Sequence, residues 1–211
     1  MYIIFIISDT LNSNILLDSI GGNMEQIYLQ GKKVIGRKIE EKDIHSLYSQ
    51  IYKEENPEWK RWDAPYFPFS IQEYPVYKEN LQSKLREEPL SQLIIEVDGE
   101  IIGTVGFYWE YKASRWLEIG ITIYDPAYWN GGYGTEALQL YRDLLFENME
   151  IGRVGLTTWS GNERMMKVAE KIGMKLEGRM RNCRYYNGTY YDSIRMGMIR
   201  EEWETLREAK E

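Results

Sequence analysis

Apolar residues recur along this chain in two rhythms. Leu93-Ile94-Ile95-Glu96-Val97 and the run from Ile101 to Trp109 flank Asp98-Gly99, and two strand-forming runs around such a turn predict an antiparallel hairpin. Lys175 to Tyr186 and Thr189 to Ile199 flank Asn187-Gly188 in the same way. Between them, Trp116 to Tyr124 reads as a buried strand that Asp125-Pro126 breaks. The stretch Trp129-Asn130-Gly131-Gly132-Tyr133-Gly134 then leads into a helix at Thr135, with Ala137, Leu138, Tyr141, Leu144, Leu145 and Met149 on one face. Arg153 to Trp159 is the next strand, and a helix crossing between two strands requires them to run parallel. Ser160-Gly161-Asn162 opens another helix, with Val168, Ala169 and Ile172 inward and Gly173 as its stop.

The upstream half is less regular. Gln26 to Ile39 reads as a strand pair or one long bent strand around Gly31, and Ile44, Leu47, Tyr48 and Ile51 predict a helix over about Glu41 to Glu54. Pro57, Pro65 and Pro68 interleave with Trp59, Trp62, Tyr66, Phe67 and Phe69 in a non-helical segment that either lines a pocket or pins a loop to the core. Ser70-Ile71-Gln72-Glu73 matches a capping box ahead of Tyr77, Leu81 and Leu85, although Pro75 moves the start toward Tyr74. A polar helix from Glu201 to Lys210 closes the chain. The predicted class is α+β in αβα layers, a mostly antiparallel sheet with one parallel pair in its middle. Residues 1–23, with Tyr2-Ile3-Ile4-Phe5-Ile6-Ile7, form an N-terminal extension too short in its apolar run to span a bilayer and without a basic leader. The domain is expected over residues 24–211.

Composition narrows the chemistry. The 211 residues are 43% hydrophobic and 28% charged, ordinary for a globular domain. The net charge of −7 argues against nucleic acid as partner and suits a cationic substrate. One cysteine, Cys183, and one histidine, His45, rule out an intrachain disulfide and a Cys/His zinc cluster, and point to a reducing cytoplasm. No membrane or metal partner is expected.

The glycine loop suits an anion. The first turn of a helix has amides without intrahelical partners and lies at the positive end of the helix dipole. Glycines ahead of it let a phosphate ester approach the backbone. Gly132-x-Gly134-x-x-Ala137 superficially fits a dinucleotide fingerprint. That fold needs an acid at the end of the second strand, where this chain has Trp159-Ser160-Gly161-Asn162. No Lys-Ser or Lys-Thr pair follows the last glycine, which also disfavours a nucleotide P-loop.

Tyr128 to Leu138, Asn162-Glu163-Arg164, and Gly178-Arg179-Met180-Arg181 with Tyr186-Asn187-Gly188 and Asp192 stand in an order that resembles the GCN5-related N-acetyltransferases (GNAT). The resemblance covers about Gln30 to Trp203 and is nearest the branch with ribosomal-protein and spermidine acetyltransferases. It implies acetyl-CoA as donor and a primary amine as acceptor, either a small polyamine-like molecule or a protein N-terminus, in a monomer or homodimer. By the same resemblance, the amides of Asn130, Gly131, Gly132, Tyr133, Gly134 and Thr135 hold the CoA pyrophosphate, Ile121, Thr122 and Ile123 pair with pantetheine, and Asn162 hydrogen-bonds that arm. Trp129 stands where many relatives have Gln or Arg, which implies binding through backbone.

Acyl transfer to an amine needs a base, polarisation of the thioester carbonyl and a proton for the thiolate. Glu118, an acid on an otherwise apolar strand, is the candidate base, with an outward strand carboxylate or substrate anchor as its other readings. Relatives commonly carry tyrosine at the position of Ala169 or serine at that of Met165; this chain has neither, so either Tyr185 or Tyr186 supplies the proton or the thiolate leaves largely unassisted. The missing acid keeps open a second function, a non-catalytic acetyl-CoA-binding sensor or interaction module.

Overall fold

The computed structural model describes residues 27–209, so the expectation for the first 23 residues lies outside the described residues. Eight strands form one sheet: β1 (Tyr28–Gln30), β2 (Ile35–Lys38), β3 (Gln92–Val97), β4 (Glu100–Tyr111), β5 (Trp116–Ile123), β6 (Arg153–Trp159), β7 (Lys175–Tyr186) and β8 (Thr189–Ile199). Their order across the sheet is β1-β2-β3-β4-β5-β6-β8-β7, with β8 inserted between β6 and β7. Every neighbouring pair is antiparallel except β5 and β6. Five α-helices among the described residues accompany it: α1 (Ile44–Ile51), α2 (Tyr74–Glu87), α3 (Tyr133–Asn148), α4 (Glu163–Lys171) and α5 (Arg200–Glu208).

Strand alternation divides the core between the two faces. Leu93, Ile95, Leu117, Ile119, Val154 and Leu156 meet Leu138, Tyr141 and Leu145 of α3 and Ala169 of α4. Ile94, one residue out of phase, packs with Ile44, Leu47 and Leu81 under α1 and α2. Glu118, flanked by Leu117 and Ile119, therefore belongs to the α1–α2 side of the sheet.

Both tight hairpins form where Asp98-Gly99 and Asn187-Gly188 predict them, and all four turn residues have positive φ, from 48° at Asn187 to 83° at Gly99. The segment around Gly31 is a strand pair rather than one bent strand. Two helices differ from their predicted limits at the N-terminal side, and α2 starts at Tyr74, where Pro75 placed it. The first helix is a 3-10 turn over Glu41–Asp43 followed by eight α-helical residues, because Asp43 folds back to accept the Glu40 amide and no apolar stripe continues past Ile51. The capping box at Ser70 does not start α2: the helix begins at Tyr74 with Pro75 in its first turn, the one place where a missing N–H costs nothing. The helix expected from Thr135 begins two residues earlier at Tyr133, because Gly132 takes the N-cap position at φ 86°.

Candidate active site

The two parallel strands touch only briefly. Leu117 pairs with Val154 and Glu118 with Gly155, and then β5 and β6 part. The other edge of β5 stays paired with β4 as far as Ile123, so from Ile119 to Ile123 the β6-facing edge has no strand partner. An 860 Å³ cleft fills this gap. Ile119 to Ile123 line one wall, Thr157 to Trp159 the other, and the glycine loop and the start of α4 line one end.

The loop at that end is shaped to present backbone. Asn130 and Gly132 both have positive φ, 61° and 86°. The Gly132 Cα faces Lys33, whose ammonium donates to the Gly131 carbonyl at 2.6 Å. Lys33 is itself fixed by a contact that sequence reasoning missed. Glu136, in the first turn of α3, accepts the amides of Lys32 (2.9 Å), Lys33 (2.7 Å) and Val34 (2.9 Å), tying the β1–β2 turn to the loop. The loop thus has a cation beside it, where the sequence suggested amides alone. These features fit a CoA-type ligand: free amides with a nearby cation for the pyrophosphate, and an open strand edge for the amides of the pantetheine arm.

The remaining predicted donor contacts are placed as follows. Ile121, Thr122, Ile123, Asn130, Gly132, Gly134, Thr135 and Asn162 line the cleft, whereas Gly131 and Tyr133 do not. Asn162 caps α4, its Oδ1 accepting the Met165 amide at 3.1 Å, while its Nδ2 donates to the Trp62 carbonyl at 2.9 Å. The side chain expected to hold pantetheine is thus already engaged at both ends.

The aromatic segment upstream of α2 proves to be a pocket wall. Trp59, Trp62, Asp63, Ala64 and Tyr66 line the cleft. Trp62 is fastened over it, its carbonyl accepting both Asn162 Nδ2 and the Trp159 indole N–H. Arg164 lies between the rings of Trp62 and Trp129, 4.2 and 4.9 Å from their centroids, and so bridges that segment to the glycine loop.

At the root of the gap is a buried polar network. Tyr108 and Glu118 are cross-strand partners, as are Thr157 and Arg195, and all four reach the same face. Glu118 is 0% exposed. Its Oε1 accepts Arg195 Nη1 at 2.6 Å, and its Oε2 accepts the hydroxyls of Thr157 at 2.5 Å and Tyr108 at 3.0 Å. Arg195 also donates to Glu110 at 2.8 Å. Burial works to lower the Arg195 pKa, but the two carboxylates outweigh it and the guanidinium is held above its ordinary value. Burial, reinforced by the Glu118 charge, pushes the Tyr108 phenol well above its ordinary range, so it stays a donor. Tyr108 and Thr157 line the cleft; Glu118 stands behind them.

The candidates for the acid fare differently. Tyr185 is 60% exposed, and Tyr186 packs against Trp159 with ring centroids 6.2 Å apart. Neither lines the cleft. Asp192 holds the irregular part of β7, accepting Arg179 Nε at 2.5 Å and the Asn182 amide at 2.9 Å. These two contacts pull its carboxyl below the usual range.

Comparison with known proteins agrees with this geometry. The acetyltransferase (GNAT) domain model matches residues 33–175, more than half of the chain. The SPbeta prophage-derived uncharacterized N-acetyltransferase YokL of Bacillus subtilis is 25% identical over 184 residues, covering 86% of this chain and 98% of its own length. The uncharacterized N-acetyltransferase YoaA of the same organism is 33% identical over 94 residues, 44% of this chain and 52% of YoaA. Among solved structures, spermidine N-acetyltransferase from Vibrio cholerae, in complex with CoA and spermine, superposes with a TM-score of 0.67 at 17% identity, over 82% of this chain and 99% of that one. That last likeness is one of fold. No helix among the described residues is long and apolar enough to cross a membrane. The chain belongs to the GNAT family of acetyl-CoA-dependent N-acetyltransferases.

Proposed function

We propose that this protein acetylates a primary amine, a small polyamine-like molecule or a protein N-terminus, by direct attack of the amine on the donor thioester, in the cytoplasm. The observation that carries the reading is the gap beyond Glu118 and Gly155, with an unpaired strand edge on one side and the glycine loop at its end. Acetyl-CoA, when bound, supplies the activated acetyl group. The amides of Asn130 to Thr135 and Lys33 would hold its pyrophosphate, and Ile121 to Ile123 its pantetheine arm. Backbone N–H groups along that edge would polarise the acetyl carbonyl.

The acceptor would enter on the α1–α2 side, past Trp59, Trp62, Tyr66 and Tyr108. Such a wall suits an amine with a carbon skeleton to bury. Glu118, at the root of the gap, would serve as the base.

Thiol release from acetyl-CoA, followed over polyamines, aminoglycosides, amino acids and short peptides, tests the proposal. Turnover with at least one amine is expected. Silence on every amine, with acetyl-CoA still bound, would replace it with the donor-binding sensor.

A further inference from the structure

The Glu118 carboxylate is sealed from the cleft by the groups bonded to it. It is fully buried and does not line the cleft, whereas Thr157 does and donates to its Oε2 at 2.5 Å. A threonine hydroxyl has one hydrogen to give and two lone pairs with which to accept. Thr157 directs its hydrogen to Glu118, which leaves acceptor capacity on the oxygen. It stands where the gap opens: Thr157 lies two residues past Gly155, the last residue of β6 paired with β5.

We propose that Thr157 is a catalytic residue: its hydroxyl takes the proton of the attacking amine while passing its own to Glu118. The proposal rests on the amine-acetylation reading above and gives it a route for the proton. As the amine nitrogen bonds to the acetyl carbon, the carbon–sulfur bond breaks and the sulfur keeps its electron pair. The nitrogen's proton goes to Thr157 Oγ1, the Thr157 proton goes to Glu118 Oε2, and after the transfer the proton leaves Glu118 by the reverse of the same path, through the Thr157 hydroxyl to water in the cleft. The thiolate takes a proton from water at the cleft mouth, so no acid at Ala169 or Met165 is required.

Three other groups keep the relay in order. Arg195 fixes Oε1, Glu110 fixes Arg195, and Tyr108 holds Oε2 from the opposite side at 3.0 Å. Tyr108 is the competing relay, since it also lines the cleft and donates to the same oxygen. Thr157 stands on β6, the strand that borders the gap, whereas Tyr108 stands on β4 away from it, and that placement favours Thr157.

The test compares Thr157→Val, Thr157→Ser and Tyr108→Phe with the wild type on an amine the wild type acetylates. Thr157→Val should lose about 10²-fold in kcat, the scale of a positioned proton acceptor. Its affinity for acetyl-CoA by calorimetry should stay within about twofold, and Thr157→Ser should recover most of the rate. The wild-type rate in mixtures of light and heavy water should curve as two moving protons require, and that curvature should vanish in Thr157→Val. Should Thr157→Val not fold, Thr157→Ala carries the same readouts. A Thr157→Val rate within about twofold of wild type, or a larger loss in Tyr108→Phe, overturns the relay and leaves the acetyltransferase reading standing. A wild type that acetylates no amine overturns both.

Discussion

Arg195 Nη1 lies 2.6 Å from Glu118 Oε1 and joins β8 to β5 across the intervening strand β6. The carboxylate is wholly buried, while the Arg195 side chain keeps 31% of its exposure. Removing the cation would strand a buried charge, which costs far more than the pair contributes by existing. Arg195→Met should therefore lower the unfolding free energy by about 3 kcal/mol. Combined with Glu118→Gln, which removes the stranded charge, it should cost less than the two single changes summed. Urea titration of the four proteins measures both, and strict additivity would show that the pair is not coupled.

Glu136 does for the loop what Arg195 does for the strand gap. One carboxylate accepts three successive amides, from Lys32 to Val34, and thereby sets where Lys33 stands. Glu136→Ala should cost about 2 kcal/mol, the range for hydrogen bonds to a charged group. Hydrogen exchange at those amides should rise in the variant, while exchange in β6 and β8 stays as in the wild type. Unchanged protection at residues 32–34 would contradict the contact.

Lys84 makes stability depend on pH. Burial pushes its ammonium down to about 8, although its Nζ donates to Gln92 Oε1 at 3.2 Å. Between about pH 8 and the ordinary lysine value of about 10.4, the unfolded chain holds a proton that the folded chain has released. Stability at this site therefore rises with pH through that window, and the cost of burying the charge is present in full below it. Lys84→Met should stabilise the protein by about 1–2 kcal/mol at pH 7, with the gain shrinking toward pH 10. A gain independent of pH, read from melting temperatures between pH 6 and 10, would refute that origin.

What the sequence made legible was local. Asp98-Gly99 and Asn187-Gly188 state their turns because few residues accept positive φ, and the glycines before α3 state a backbone cradle because they lack the Cβ that would keep a ligand off the amides. The parallel pair followed from a helix lying between two apolar strands. What stayed hidden was set by distant partners. Glu136 reaches back more than a hundred residues to the β1–β2 turn, and Arg195 pairs with Glu118 through the insertion of β8 beside β6. Glu118 was readable as an unusual acid on an apolar strand. That Thr157 and Tyr108 would stand between it and the cleft needed the register of three strand pairs. Asn162 shows the converse, since its N-cap position was readable and its bond to Trp62 was not.

The central claim, that the donor sits on the glycine loop in the strand gap, is tested most directly by calorimetry with acetyl-CoA on wild type and Gly132→Glu. Gly132 has φ 86°, so the change costs about 1–2 kcal/mol of backbone strain and sets a carboxylate where the pyrophosphate would lie. With the variant shown to be folded by its circular dichroism, the account predicts binding by the wild type and a loss of at least about a hundredfold, roughly 2.7 kcal/mol, in Gly132→Glu. Equal affinities would contradict it.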